Sequence, residues 1–125
     1  MKETVLVFNV NDSSTKLNIE LALFPFHVRL KKVLLADYNK TLGSLVGISD
    51  SADPGQSYTG DELESSMMIF AGIPDNKLNL LLKSLRDKKV QLPYKAILTP
   101  TNSNWTPLEC FEELVREHKA MNPEK

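Results

Sequence analysis

Two stretches of this chain, Thr4-Val5-Leu6-Val7-Phe8-Asn9-Val10 and Met67-Met68-Ile69-Phe70-Ala71-Gly72, are apolar with almost no alternation. A strand with one wet face alternates polar and apolar residues, so an unbroken run needs cover on both faces or a central place in its sheet. Each run is followed by a helical pattern and then by a second extended segment. The order is βαβ, a short helix and long loop, then βαβ and a closing helix. Two apolar strands that open two halves are what the central pair of a ferredoxin-like split βαβ sheet asks for. The expected fold is therefore α+β, a four-stranded sheet of that type with an extra C-terminal helix. The same alternation of elements also admits a small doubly wound α/β sheet.

Local signals place the elements. Asn11-Asp12-Ser13-Ser14 offers N-cap chemistry for a helix through about Phe24, with Leu17, Leu21 and Phe24 on one stripe, and Pro25 ends it. Phe26 to Leu34 sets Phe26, Val28 and Leu30 against His27, Arg29 and Lys31, an edge strand whose basic residues discourage edge pairing. Asp37 is placed to cap a short helix over Tyr38 to Val46, interrupted or ended by Gly43 and Gly47. Pro74-Asp75 opens the clearest helix, with Leu78, Leu81, Leu82 and Leu85 at i, i+3, i+4 and i+7. Tyr94 to Thr99 reads as the fourth strand. Thr106, Pro107 and Glu109 form a capping box for the last helix, whose apolar face is Leu108, Phe111, Leu114, Val115 and Met121.

Size and composition bound the rest. A chain of 125 residues, 42% apolar and 25% charged, reads as one domain over 1–125 with a core of its own. No Lys or Arg falls between Thr41 and Asn76, whereas Asp50, Asp53, Asp61, Glu62, Glu64 and Asp75 do, and 49–66 reads as a flexible acidic surface loop. The mildly basic remainder is too weak a signal for nucleic-acid binding. No apolar run approaches the ~18 residues of a membrane helix, and nothing at the start resembles a signal segment, so the cytoplasm is the expected location. Cys110 is the only cysteine, and no Cys/His spacing suggests a metal or cofactor. Neither a glycine-rich phosphate loop nor a zinc-protease motif occurs.

The chemistry gathers in Thr99-Pro100-Thr101-Asn102-Ser103-Asn104-Trp105-Thr106, which holds seven hydroxyl, amide and indole side chains at the mouth of the last helix. Thr99, Thr101, Asn102, Asn104, Trp105 and Thr106 are the candidate binding residues, for a small anionic or polar ligand at a helix N-terminus. The competing reading is that these side chains satisfy their own turn while Trp105 packs as a staple before the cap, against Cys110 or Phe111. Asn9, at the end of the first strand, and Thr41 with Gly43 are candidates for the border of the same cleft. The simpler reading is an Asx turn for Asn9 and close helix packing or a helix end for Gly43. Glu109, Glu113 and Glu117 recur every four residues and read as a solvated outer face, with Glu112 paired to Arg116.

Ala96 to Thr106, followed by an acidic amphipathic helix with Glu117-His118, resembles the end of a bacterial, largely clostridial domain family of unknown function. Thr41 to Gly47 and Met68 to Ile73 resemble its middle portion. The resemblance implies no activity, and Ser103 stands where members often carry a basic residue.

The function expected is a non-catalytic small-ligand-binding or regulatory module, with no catalytic residue assigned. The alternatives are a small enzyme using Cys110, in the first turn of the last helix, or His118, and a structural homodimer formed through the Phe26–Leu34 edge.

Overall fold

The computed structural model describes residues 3–47 and 56–121. In chain order they form β1 (Thr4–Phe8), α1 (Ser13–Leu23), β2 (Arg29–Val33), α2 (Leu42–Leu45), β3 (Met67–Ala71), α3 (Asp75–Asp87), β4 (Tyr94–Ile97) and α4 (Pro107–Met121). Residues 49–55 of the acidic loop lie outside the described residues.

The fold is α+β, with one four-stranded sheet ordered β2-β1-β3-β4 and a closing helix. The two apolar strands are central and antiparallel, Leu6 opposite Ile69 and Val5 opposite Phe70. Each edge strand lies parallel beside the strand that opens its own unit, β2 on β1 and β4 on β3. The parallel pairs are thus contiguous, with no strand of the other unit between them, and within the sheet the two βαβ units meet at β1 and β3.

Every residue of β1 and β3 is buried, because both faces of the sheet are covered. Val5, Val7, Met68 and Phe70 pack under α1 and α3 through Ile19, Ala22, Leu23, Leu78, Leu81 and Leu85. On the opposite face Leu6, Phe8, Met67, Ile69 and Ala71 pack with Tyr38, Leu42, Leu45, Cys110 and Phe111. The unbroken apolar runs therefore reflect a sheet sandwiched between helices.

Three local expectations are corrected. The stripe Leu17, Leu21 and Phe24 faces solvent at 54%, 49% and 78% exposure, and α1 instead buries Ile19, Ala22 and Leu23. Both triplets have helical spacing, and packing chose the second. The short helix α2 is capped by Thr41, whose side chain accepts from the Ser44 N–H (3.1 Å), while Asp37 ends a preceding 3₁₀ turn and pairs with Lys40. Met121, at 81% exposure, lies off the apolar face of α4.

Asp12 caps α1 as its sequence suggests. The Thr15 backbone N–H and hydroxyl donate to its carboxylate (2.9 and 2.8 Å) and hold its pKa below the usual 3.8, the backbone bond having the larger effect. A carboxylate whose folded pKa lies below its unfolded value stabilises the fold above the unfolded pKa, and that contribution fades as pH falls through the folded one. Acid titration followed by circular dichroism should show Asp12→Asn less sensitive to pH below 3.8 than the unaltered chain. An unchanged acid limb rules out the cap as a source of that sensitivity.

Candidate functional site

Strand register decides which candidate residues can meet. Tyr94, the first residue of β4, is level with Met67 and so with Phe8, whereas Ile97 is level with Phe70 and so with Val5. The loop after Ile97 therefore leaves the sheet at the end where β1 begins, and Asn9 follows the end where β1 finishes. The structure does not bring Asn9 to the loop. Asn9 adopts φ 58°, a left-handed conformation that Asn tolerates better than most residues, and its Nδ2 donates to the Leu63 carbonyl (2.9 Å). The Ser66 hydroxyl returns a bond to the Asn9 carbonyl (2.7 Å), so this turn anchors the approach to β3.

The loop itself is organised by Asn102, which is buried. Its Oδ1 accepts from the Thr99 N–H (2.8 Å) and its Nδ2 donates to the Ile97 carbonyl (3.0 Å). Its own N–H donates to the Thr99 hydroxyl (3.1 Å). The Ser103 hydroxyl donates to the Pro100 carbonyl, and the Trp105 N–H to the Asn102 carbonyl, each at 3.0 Å. Thr and Asn three residues apart thus close a ring of local bonds, as short polar side chains do in turns. Thr41 and Gly43 stand behind this turn. The Leu42 N–H donates to the Trp105 carbonyl (2.8 Å), tying α2 to the loop, and Gly43 is buried.

The start of α4 is closed by its own side chains. Glu109 Oε1 accepts from the Thr106 N–H (2.9 Å), and the Glu109 N–H donates to the Thr106 hydroxyl (3.3 Å). The negative charge that a helix N-terminus favours is therefore supplied from within the chain.

Beside the loop lies a hollow of about 410 Å³ between β4, the loop and α4. Thr99, Thr101, Asn102 and Trp105 line it, and Asn104, Thr106, Thr41, Gly43 and Asn9 do not. The remaining lining was not among the candidate binding residues: Lys95, Ala96 and Ile97 from β4, and from α4 Leu114, Glu113 and Glu117, with Cys110, which the sequence offered only as an alternative catalytic group. The four-residue spacing of Glu113 and Glu117 was the available signal, but it reads equally well as a solvated face. Glu113 is also the partner of Arg116, in place of the expected Glu112.

A second hollow, of about 480 Å³, opens on the other flank of α4 against residues 58–64. Its floor includes Leu63, Leu108, Phe111 and Val115, and its rim bears Asp61, Glu62, Glu64 and Glu112 with Arg116 and Lys119. The segment from Gln56 is tied to the body by the Tyr58 N–H to the Ala36 carbonyl (2.9 Å) and by Asn39 Nδ2 to the Gln56 carbonyl (2.7 Å). Tyr58 stacks on the buried Tyr38 at 5.9 Å, and burial followed by the Glu62 carboxylate pushes the Tyr38 phenol pKa upward.

Of the two groups considered for catalysis, Cys110 lies in unreactive surroundings. Cys110 is 2% exposed, and burial, then Glu117 and Glu113, push its thiol up to about 11. At neutral pH it is a protonated thiol and a poor nucleophile. His118 stands exposed, edge-on to the Tyr94 ring at 5.6 Å. Alkylation by iodoacetamide, followed by mass spectrometry, should be slow in the native protein and fast only in denaturant; rapid native labelling would return Cys110 to the enzyme reading.

Among the described residues no group of three or more His, Cys, Asp or Glu gathers where it could hold a metal ion, and no helix is long and apolar enough to cross a membrane. No curated protein matches the chain, and no solved structure does. Residues 66–121, from the threshold of β3 through α4, match a family model described as a domain of unknown function (DUF3783). That stretch contains the whole lining of the hollow beside the loop, excludes Thr41–Gly47, and is similar to a family whose description carries no activity.

Proposed function

We propose that the chain is a non-catalytic module that binds a small polar ligand in the hollow between β4, the 99–105 loop and α4. One observation carries the reading: Asn102 bonds to Thr99 and Ile97 and so holds the mouth of a hollow of about 410 Å³ in a single shape. A rim fixed before the ligand arrives costs less ordering on binding. The Trp105 indole, Ala96 and Leu114 supply apolar wall, and Thr101 supplies a hydroxyl on an exposed residue. Of the charged residues in the lining, Lys95 donates through its Nζ to the Leu92 carbonyl (2.9 Å) and Glu113 pairs with Arg116, which leaves the Glu117 carboxylate to set the charge of the hollow. This balance suits an amine or a zwitterion better than an anion, and Glu109 already serves the helix end. The reading takes the protein to work in a bacterial cytoplasm.

The test is a thermal-shift screen with amines, amino acids, nucleotides and organic acids at millimolar concentration. A ligand present at a hundred times its Kd stabilises the fold by about 2.7 kcal/mol. We expect amino compounds to raise Tm in the unaltered chain and to lose that effect in Thr101→Val and Trp105→Ala. A flat screen, or stabilisation that survives both substitutions, rejects the reading.

A further inference from the structure

The hollow of about 480 Å³ between α4 and residues 58–64 plays no part in the reading above, and it differs from the other in shape and charge. Its floor runs along one face of α4 through Leu108, Phe111 and Val115, at i, i+3 and i+7, and continues onto Leu63 of the facing wall. From Leu108 to Lys119, the last lining residue of the helix, α4 rises about 16 Å. The hollow is therefore a groove, matching about five residues of extended chain. Leu63 and Phe111 are buried but Leu108 and Val115 only half-buried, so the chain itself leaves part of this apolar floor uncovered.

Charge decides what fits the groove. Asp61, Glu62 and Glu64 stand on one wall and Glu112 on the other, all exposed, and among the described residues none of the four forms an ion pair. Arg116 is paired with Glu113, which lies outside this lining, so Lys119 at the far end is the one lining cation not already engaged among the described residues. The stretch that supplies the first wall has no Lys or Arg from Thr41 to Asn76. We infer that the groove docks a basic segment of a partner protein. An extended peptide there sets alternate apolar side chains on Leu108, Phe111 and Val115 and its lysines or arginines against the two acidic walls. Successive side chains of an extended chain face opposite ways, and long basic stems reach a rim while their heads stay wet. Complementary charge fixes the choice of partner, and the apolar floor supplies the anchor. A compact amine fills only part of a groove of this length, and an acidic rim repels an anionic surface. A second copy of this chain fits less well, because its basic β2 residues Lys31 and Lys32 are held by the Leu45 carbonyl and Glu20.

The probe is an end-blocked five-residue peptide alternating lysine and leucine, titrated into the full chain to about 1 mM and followed by calorimetry and ¹⁵N-¹H correlation spectra. Saturable binding is expected, with amide shifts at Leu63, Leu108 and Val115 and none at Thr101 or Leu114. Serine in place of the leucines removes the anchor, and glutamate in place of the lysines reverses the charge; each change should weaken binding at least about tenfold. Glu64→Lys and Glu112→Lys, one on each wall and both exposed, should each weaken it at least about fivefold with circular dichroism unchanged. Asp87→Lys makes the same charge change on α3, across the sheet, and should alter binding less than about twofold. The proposal is overturned if the peptide does not saturate, if the serine peptide binds as well, or if both wall variants bind normally. Shifts centred on the 99–105 loop overturn it too, as does hexylamine binding this groove as tightly as the peptide, which would assign it to a small cation.

Discussion

Asn102→Ala lowers the unfolding free energy by roughly 3 kcal/mol and abolishes ligand stabilisation, because it strands two backbone groups at once. The Thr99 N–H loses the Oδ1 that accepts from it, and the Ile97 carbonyl loses the Nδ2 that donates to it. Each stranded polar group costs about 1–3 kcal/mol where water cannot replace its partner. For a domain of this size the corresponding fall in Tm is roughly 10 °C. Ser103→Ala is the internal comparison, since its hydroxyl bonds to the Pro100 carbonyl at the exposed surface and its loss should cost no more than about 0.5 kcal/mol. Urea unfolding of the three proteins separates these outcomes. Equal small losses would mean that the loop is held by its backbone alone and that Asn102 is incidental.

The second large effect lies in α1, where neighbouring positions should behave oppositely. Ile19→Ala removes a side chain 1% exposed among Val5, Val7 and Leu23, and such truncations cost about 2–5 kcal/mol. Leu21→Ala removes one that is 49% exposed and should change stability by no more than about 0.5 kcal/mol. Chemical denaturation reads both. The reverse ranking would mean that α1 is rotated by half a turn on the sheet.

That pair of residues also shows where the sequence stops being legible. Leu17-Leu21-Phe24 and Ile19-Ala22-Leu23 are both helical stripes, nearly opposite each other around the axis. Periodicity marks a helix with two apolar faces, and only the packed sheet decides which is inside. The unbroken runs of β1 and β3 were legible because burial on both faces erases alternation, a property each strand carries by itself. The capping box of Thr106 and Glu109 was legible for the same reason, since all its partners lie within four residues.

What depended on distant pairing was not. The position of Asn9 follows from the register of β1 against β3 and of β3 against β4, and it falls at the far end of the sheet from the loop. Placing β2 beside β1 and β4 beside β3 is likewise a matter of tertiary arrangement. In the loop, the sequence identified the polar cluster and the two uses it could have. The Thr99–Asn102 bonds show the turn satisfying itself, as the more economical of the two uses requires, yet the hollow beside it remains open. Glu113 and Glu117 read as a solvated face because four-residue spacing says only that they share a side, whereas the approach of β4 turns that side into a wall.

The claim on which this account rests is that the hollow beside the 99–105 loop is preformed and takes a small polar molecule. An ¹⁵N-¹H correlation titration of the full chain with small amines and amino acids addresses it most directly. Saturable shifts are expected, confined to Ala96, Thr99, Thr101, Asn102, Leu114 and the Trp105 indole N–H, with little change elsewhere. Saturable shifts centred instead on Tyr58, Leu63 and Val115, or none at any attainable concentration, would contradict it.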